Sequence, residues 1–210
     1  MKIVTWNVNS IRRRLEIVLG WLAANPTDVL LLQETKVVDE SFPRADFVAA
    51  GYHVAMHGEP GRNGVAIVAR QPLDQVTTGL PGEASDSQTR YLEATVGGVQ
   101  VASVYVPTGP AVASDNFAFN LRFFARLRAH LAHRLLAEQP FVVGGDFNVA
   151  PEPIDVFDPA ACEGTICYHP AEREGLRGLT HLGYYDAFRV LHPTRRQFTW
   201  WDLRGGSWER

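Results

Sequence analysis

Short apolar runs that stop at polar residues recur along this chain, and between them lie two longer segments with helical spacing. Residues 2–8, "KIVTWNV", predict a strand, and residues 28–34, "DVLLLQE", predict a buried strand that ends in polar groups. "YHVAMH" and "GVAIVAR" predict two more strands. In "RYLEATVGGVQVASVYV", residues 90–106, two alternating runs flank Gly97 and Gly98, the pattern of a β-hairpin. "PFVVGGDFNVAP", residues 140–151, predicts a further strand that meets two glycines and then delivers Asp146 and Asn148. Period two would turn those two polar side chains to one cleft and Phe147 to the core. The glycines leave room for a close approach to the backbone, and Pro151 and Pro153 stop regular structure.

Helical spacing of Ile11, Leu15, Val18, Leu19 and Leu22 predicts a helix over 11–24, with Ser10 as its N-cap. Phe117, Leu121, Phe124, Leu127, Leu131 and Leu135 form one stripe of a longer helix over 115–137, capped by Ser114. Such a stripe reads as core packing. His130 and His133 lie off it and are expected in solvent. A short helix is expected after Pro170, and "QFTWWDL" reads as a last strand or a rim segment. Hairpins and helical crossovers together imply mixed sheets covered by helices, an α/β architecture. With no internal repeat, low-complexity tract or linker, residues 1–210 read as a single domain.

Composition narrows the class. The chain is 46% hydrophobic and 20% charged, as globular proteins are, and no apolar run is long enough to span a bilayer. "MKIVTWNV" enters a strand directly, without the regions of a signal peptide. Cys162 and Cys167 make neither a disulfide framework nor a zinc pattern, so free thiols and a cytoplasmic location are expected. A net charge of −3 does not advertise nucleic acid, yet binding needs only a local basic surface. Arg12–Arg14 and Arg195–Arg196 are the basic clusters, and taken alone each reads as a solvated face.

The chemistry sits at the strand ends. The first strand delivers Asn7 and Asn9, the second Gln33 and Glu34, the hairpin Tyr105, and the "GGDFN" segment Asp146 and Asn148. Taken alone, "GGDFN" is also an ordinary polar turn. If the ends converge, the result is an all-oxygen set without Cys or His. That set suits a hard cation which keeps several waters: Mg²⁺, with Mn²⁺ the weaker alternative. Such a cation neutralises phosphate charge and orients water. A carboxylate such as Asp146 can act as general base, an amide such as Asn148 can hold it in line, and a phenol such as Tyr105 can donate to developing phosphate charge.

"KIVTWNVNSIR", "DVLLLQETK", "NGVAIVAR", "VYVP", "GGDFNVAPEPIDVFDP" and "FTWWD" resemble, in order and spacing, the exonuclease III family of abasic-site endonucleases. The resemblance covers essentially the whole chain. It implies a four-layer α/β sandwich, with two mixed sheets face to face and helices outside. It implies Mg²⁺-dependent hydrolysis of duplex DNA at abasic sites and 3′ ends, by a monomer with no membrane partner. By motif, Asn7 and Glu34 would be metal ligands, and Asp146 would position the attacking water beside Asn148, both also able to touch a cation. Tyr105 would contact the scissile phosphate and Arg90 would bind phosphate. Trp200 would close over the base-less sugar, or else be a core tryptophan. Thr108 stands where relatives carry Asn or Gln. Relatives also continue beyond the position of Arg210 with an aspartate and a histidine of the site and the last strands of one sheet, so an incomplete C-terminal part is expected. A phosphoesterase acting on a small phosphate ester, and a catalytically impaired DNA-binding fragment, are the alternative readings.

Overall fold

A computed structural model describes residues 1–201 of the chain. These fall into two compact units. The first is Met1–Pro107 with Arg122–Asn148, and the second is Thr108–Leu121 with the residues from Val149 onward.

The first unit is built on two four-stranded sheets. One has the order β1 (Ile3–Asn7), β2 (Val29–Gln33), β4 (Val65–Ala69), β3 (His53–His57). The other runs β5 (Asp74–Thr78), β6 (Tyr91–Val96), β7 (Val99–Tyr105), β8 (Phe141–Asp146). Both are mixed. β1 pairs with β2, and β7 with β8, in parallel, while the other neighbours are antiparallel. β2 and β4 are buried along their whole length, as continuous apolar runs should be when both faces of a strand are covered.

The two sheets pack face to face. Leu31 and Ile67 of one meet Leu92, Ala94 and Val101 of the other in a shared core. The opposite face of the first sheet, with Leu30, Leu32 and Val68, is covered by α1 (Ile11–Ala24) through Ile11, Val18 and Leu22, and by Phe47 of α2 (Arg44–Ala49). α3 (Asp115–Leu135) lies on the outer face of the second sheet and buries Phe123, Phe124, Leu127 and Leu131. The first unit is therefore a four-layer sandwich, helix–sheet–sheet–helix, as expected. Gln33 crosses between the sheets: its Nε2 donates to Ser103 Oγ at 3.0 Å, and Ser103 Oγ donates to the Leu32 carbonyl at 2.9 Å.

Two local expectations fail for identifiable reasons. Ser10 makes no side-chain cap and has φ 91°, because its N–H and that of Ile11 donate to the carbonyls of Glu34 and Thr35. His130 is half-buried, with Nε2 3.0 Å from Glu93 Oε2 and its ring edge-on to Tyr91. Arg134 pairs with the other Glu93 oxygen. A buried carboxylate on the sheet thus draws His130 out of solvent. Of the two readings of "QFTWWDL", the strand does not form over 197–201; residues 202–203 of that segment lie outside the described residues. Ser114, by contrast, caps α3 as expected, with Oγ accepting from Phe117 N at 3.3 Å.

The second unit is organised by short capped helices. Asp158 caps α4 (Pro159–Cys162) and Asp186 caps α6 (Ala187–Leu191). His169 and Glu172 form a capping box on α5 (Pro170–Thr180), the helix expected after Pro170. Arg177 pairs with Glu152, and Arg189 with Asp155, which ties the "EPID" segment to α5 and α6. No helix among the described residues is long and apolar enough to cross a membrane.

Candidate active site

Sheet register decides which strand-end residues meet. Asn7 lies opposite Gln33 in the parallel β1–β2 ladder, so the next residue, Glu34, projects beside it. Tyr105 lies opposite Asp146 in the parallel β7–β8 ladder. Because the sheets are stacked, the two ends come together. Asn7 Nδ2 donates to Glu34 Oε1 at 2.7 Å and to Asp146 Oδ2 at 2.8 Å, one amide joining carboxylates that arrive on different sheets.

The glycines of "GGDFN" serve strand packing. A Cβ on Gly145 would stand 1.9 Å from the Val104 carbonyl oxygen, and one on Gly144 would stand 2.8 Å from Leu31 Cδ1. What approaches the backbone closely there is the protein itself. Period two does not place Asn148 either, since β8 stops at Asp146. Asn148 turns back with φ 48°, its N–H donating to Asp146 Oδ1 at 3.0 Å and its Nδ2 to the Val106 carbonyl at 2.9 Å. Phe147 is only half-buried. The outcome, Asp146 and Asn148 side by side, arises from a turn rather than from strand alternation.

Left-handed backbone gathers at these ends: Asn9 (φ 42°), Glu34 (52°), Lys36 (55°), Asn63 (46°) and Asn148 (48°). For residues other than glycine this conformation is uncommon and persists where surrounding contacts fix it. The fixing contacts are present. Thr35 N and Lys36 N donate to the carbonyls of Gly64 and Asn63, and Gly64 N donates to that of Thr89. A Cβ on Gly64 would meet Thr35 Oγ1 at 2.1 Å, so the "NGV" segment braces the Glu34 loop. Lys36, within the quoted "LQETK" run, was not among the predicted site residues. Its Nζ lies 2.7 Å from Glu34 Oε2 and donates to Asn9 Oδ1.

The electrostatics separate the two carboxylates. Burial works to raise Glu34, but hydrogen bonds from Lys36 and Asn7, the Lys36 charge and the Tyr105 hydroxyl outweigh it and hold the group below its ordinary 4.5. Burial raises Asp146 above its ordinary 3.8, only partly offset by the hydrogen bonds from Asn7 and the Asn148 N–H. Burial also raises the Tyr105 phenol, reinforced by the Glu34 charge, so it remains a hydrogen-bond donor. Arg90 is lowered by burial yet stays charged. Its guanidinium carbon lies 4.6 Å from the Tyr105 ring centre, and its Nη1 donates to the Tyr105 carbonyl at 3.3 Å.

Asn7, Glu34, Arg90, Tyr105, Asp146 and Asn148 are thus gathered in the first unit. Trp200 belongs to the second, where it is 75% exposed and so not a core tryptophan. Among the described residues no three or more His, Cys, Asp or Glu side chains form a metal-binding group. Two carboxylates with amide oxygens fit a hard cation that keeps most of its water, and Glu34 already accommodates one positive charge, that of Lys36.

A stacked pair of mixed sheets with two carboxylates and an amide at one end is the framework of a phosphoester-cleaving enzyme. The profile of the Endonuclease/Exonuclease/phosphatase family matches residues 4–210, and the chain belongs to that family. It is 31% identical to exodeoxyribonuclease III of Haemophilus influenzae, covering 100% of this chain and 83% of that protein. Among solved structures it is similar to the 3′ phosphatase NExo from Neisseria bound to a product DNA hairpin, with TM-score 0.96, 38% identity, and coverage of 100% of this chain and 81% of that one. It is also similar to an AP endonuclease from Archaeoglobus fulgidus, with TM-score 0.95, 41% identity, and coverage of 100% and 81%.

Proposed function

We propose that the chain is a metal-dependent DNA nuclease of the exodeoxyribonuclease III and AP endonuclease kind. It would hydrolyse phosphodiester bonds of duplex DNA at abasic sites and remove blocking groups at 3′ ends. The observation that carries this reading is the Asn7 bridge between Glu34 and Asp146, two carboxylates whose affinities for a proton are driven in opposite directions. Relatives similar along the whole chain are named as exodeoxyribonuclease, AP endonuclease and 3′ phosphatase, which supports DNA as the substrate. The family match over residues 4–210 supports one catalytic domain.

In this reading Asp146 takes the proton of the attacking water. Its raised pKa makes it a better base than an exposed aspartate. The Asn148 N–H fixes Oδ1 and Asn7 fixes Oδ2, so the carboxylate is held in orientation from both sides. As water oxygen bonds to phosphorus and the bond to the 3′ oxygen breaks, negative charge grows on the other phosphate oxygens. The Tyr105 hydroxyl and the Arg90 charge are the donors available to it. Glu34 and Asn7 would hold Mg²⁺, with Asp146 and Asn148 adjacent. Bound there, the cation would neutralise phosphate charge and orient water.

The test is turnover of a duplex carrying one abasic analogue, beside an inositol phosphate as the small-ester control, with Mg²⁺ titrated. Glu34→Gln should reduce DNA cleavage by several orders of magnitude and abolish the Mg²⁺-dependent rise in Tm, while duplex binding survives. Cleavage of the small ester alone, or near-normal turnover by Glu34→Gln at saturating Mg²⁺, would overturn the reading.

A further inference from the structure

Arg90 is charged and half-buried, and the acceptors of its hydrogen bonds are neutral. Its Nε donates to Gln88 Oε1 at 2.6 Å and its Nη1 to the Tyr105 carbonyl, and its plane lies over the Tyr105 ring. Among the described residues no carboxylate stands within ion-pair distance of it. Glu59, Asp86 and Asp146 act on its charge only from a distance, and each has hydrogen-bond partners of its own. Glu59 takes Arg62, Asn63 and Thr89, and Asp86 takes Arg126 at 2.6 Å. Most buried arginines are neutralised by a partner of opposite charge. This one is oriented by hydrogen bonds to neutral groups and has no direct ion pair among the described residues.

Gln88 is itself held in place. Asn63 Nδ2 approaches its Oε1 at 3.4 Å, so both neighbours of that oxygen are donors and the amide has one sensible orientation. The Gln88 N–H donates to Asp86 Oδ1 at 3.0 Å, and its carbonyl accepts from Arg90 N at 3.0 Å, closing a tight turn. Asp86 is anchored by Arg126 of α3, which also donates to the carbonyls of Leu80 and Pro81 and to Glu83. A contiguous set of contacts runs from α3 through the 80–88 loop to the guanidinium beside Tyr105.

We propose that Gln88 is a positioning residue that orients the Arg90 guanidinium for a substrate phosphate while leaving its positive charge unspent. This inference rests on the nuclease reading and sharpens it. A neutral acceptor at position 88 lets one arginine serve both a phosphodiester, with one negative charge, and a terminal 3′-phosphate, with about −1.5 to −2 at pH 7. A carboxylate at position 88 would keep the geometry, because Glu and Gln are close in shape. It would also pair with Arg90 and repel the more highly charged phosphomonoester.

The experiment compares wild type, Gln88→Leu and Gln88→Glu on two duplexes, one with an internal abasic analogue and one with a nick bearing a 3′-phosphate. Tm is measured alongside to establish that each variant folds. Gln88→Leu should lower kcat on both substrates by about 10²-fold, the usual order for a misplaced reacting group. That loss should vanish in an Arg90→Met background, where there is no guanidinium left to orient. Gln88→Glu, the isostere least able to disturb folding, should lose several-fold more activity on the 3′-phosphate than on the phosphodiester. The proposal is overturned if Gln88→Leu stays within about twofold of wild type, an effect smaller than any positioning loss of this order. It is overturned equally if the loss persists in the Arg90→Met background, or if Gln88→Glu treats the two substrates alike. A wild-type chain that cleaves neither duplex would instead overturn the nuclease reading, so the two failures are distinguishable.

Discussion

The ammonium of Lys36 stands 2.7 Å from Oε2 of Glu34, the carboxylate proposed to hold the metal. Two positive charges therefore have a claim on one carboxylate. Lys36→Met keeps the length of the side chain and removes its charge. It is expected to lower the Mg²⁺ concentration needed for half-maximal stabilisation by several-fold, read as the rise of Tm against added Mg²⁺. The protein without metal should be slightly less stable, since a partly exposed ion pair contributes about 0–1 kcal/mol. An unchanged Mg²⁺ midpoint would mean that ammonium and metal do not compete.

Gly145→Ala tests the packing explanation of the double glycine. The new Cβ would lie 1.9 Å from the Val104 carbonyl oxygen, a backbone atom that cannot rotate away. Overpacking of this kind costs about 1–3 kcal/mol, and a clash with the backbone of the neighbouring strand β7 should fall at or above the upper end. Chemical denaturation should show the loss. If stability were unchanged while activity fell, a ligand contact would be the better account of this glycine.

Trp200→Ala is expected to leave Tm nearly unchanged, because a side chain 75% exposed contributes little to the core. Its effect should fall on selectivity. An aromatic face can fill the space left by a missing base, whereas contacts to phosphate report nothing about bases. Affinity for abasic duplex should fall more than affinity for intact duplex in a fluorescence-anisotropy titration. Equal losses on both would make Trp200 a general contact.

Glu172 gives a pH test confined to the second unit. It is 1% exposed, and burial raises its carboxyl above the ordinary 4.5, against the opposing hydrogen bonds from the N–H groups of His169 and Cys167. Between the unfolded and folded pKa values the native state holds a proton that the unfolded state has released. Stability from this group therefore falls as pH rises through that interval and is level above it. Glu172→Gln removes the titration and keeps the acceptor oxygen. The Tm difference between variant and wild type should grow in the variant's favour from about pH 4.5 upward, then plateau. A constant difference across pH would contradict the sign.

The sandwich was legible because its buried strands are uninterrupted apolar runs and its helices carry clear stripes. β5 was not: all five residues of Asp74–Thr78 are exposed, so neither alternation nor an apolar run marks it. The short helices α2, α4 and α6 were missed because each is held by caps or neighbours rather than by a periodic face. At the site, residue types at strand ends pointed to Asn7, Glu34, Tyr105, Asp146 and Asn148, since polar groups ending buried runs are conspicuous. Lys36 and Gln88 were not singled out. Lys36 matters through a left-handed backbone, and Gln88 through a loop tied to α3, and neither relation leaves a trace in local pattern. His130 was misjudged because its partner, Glu93, lies on a distant strand.

The Asn7–Asp146 hydrogen bond joins positions 139 apart in the chain. A polypeptide growing from its N-terminus presents β1 and β2 early, with Glu34 and Lys36 already adjacent, but the second carboxylate arrives only with β8. Long-range pairings of this sort are the slow part of folding. A chain that has not yet formed β8 has Asn7 and Glu34 to bring together but lacks Asp146, the carboxylate proposed to take the proton of the attacking water. The proposed proton acceptor is thus put in place only when β8 docks beside β7, which makes the site one of the last features of the sandwich to assemble.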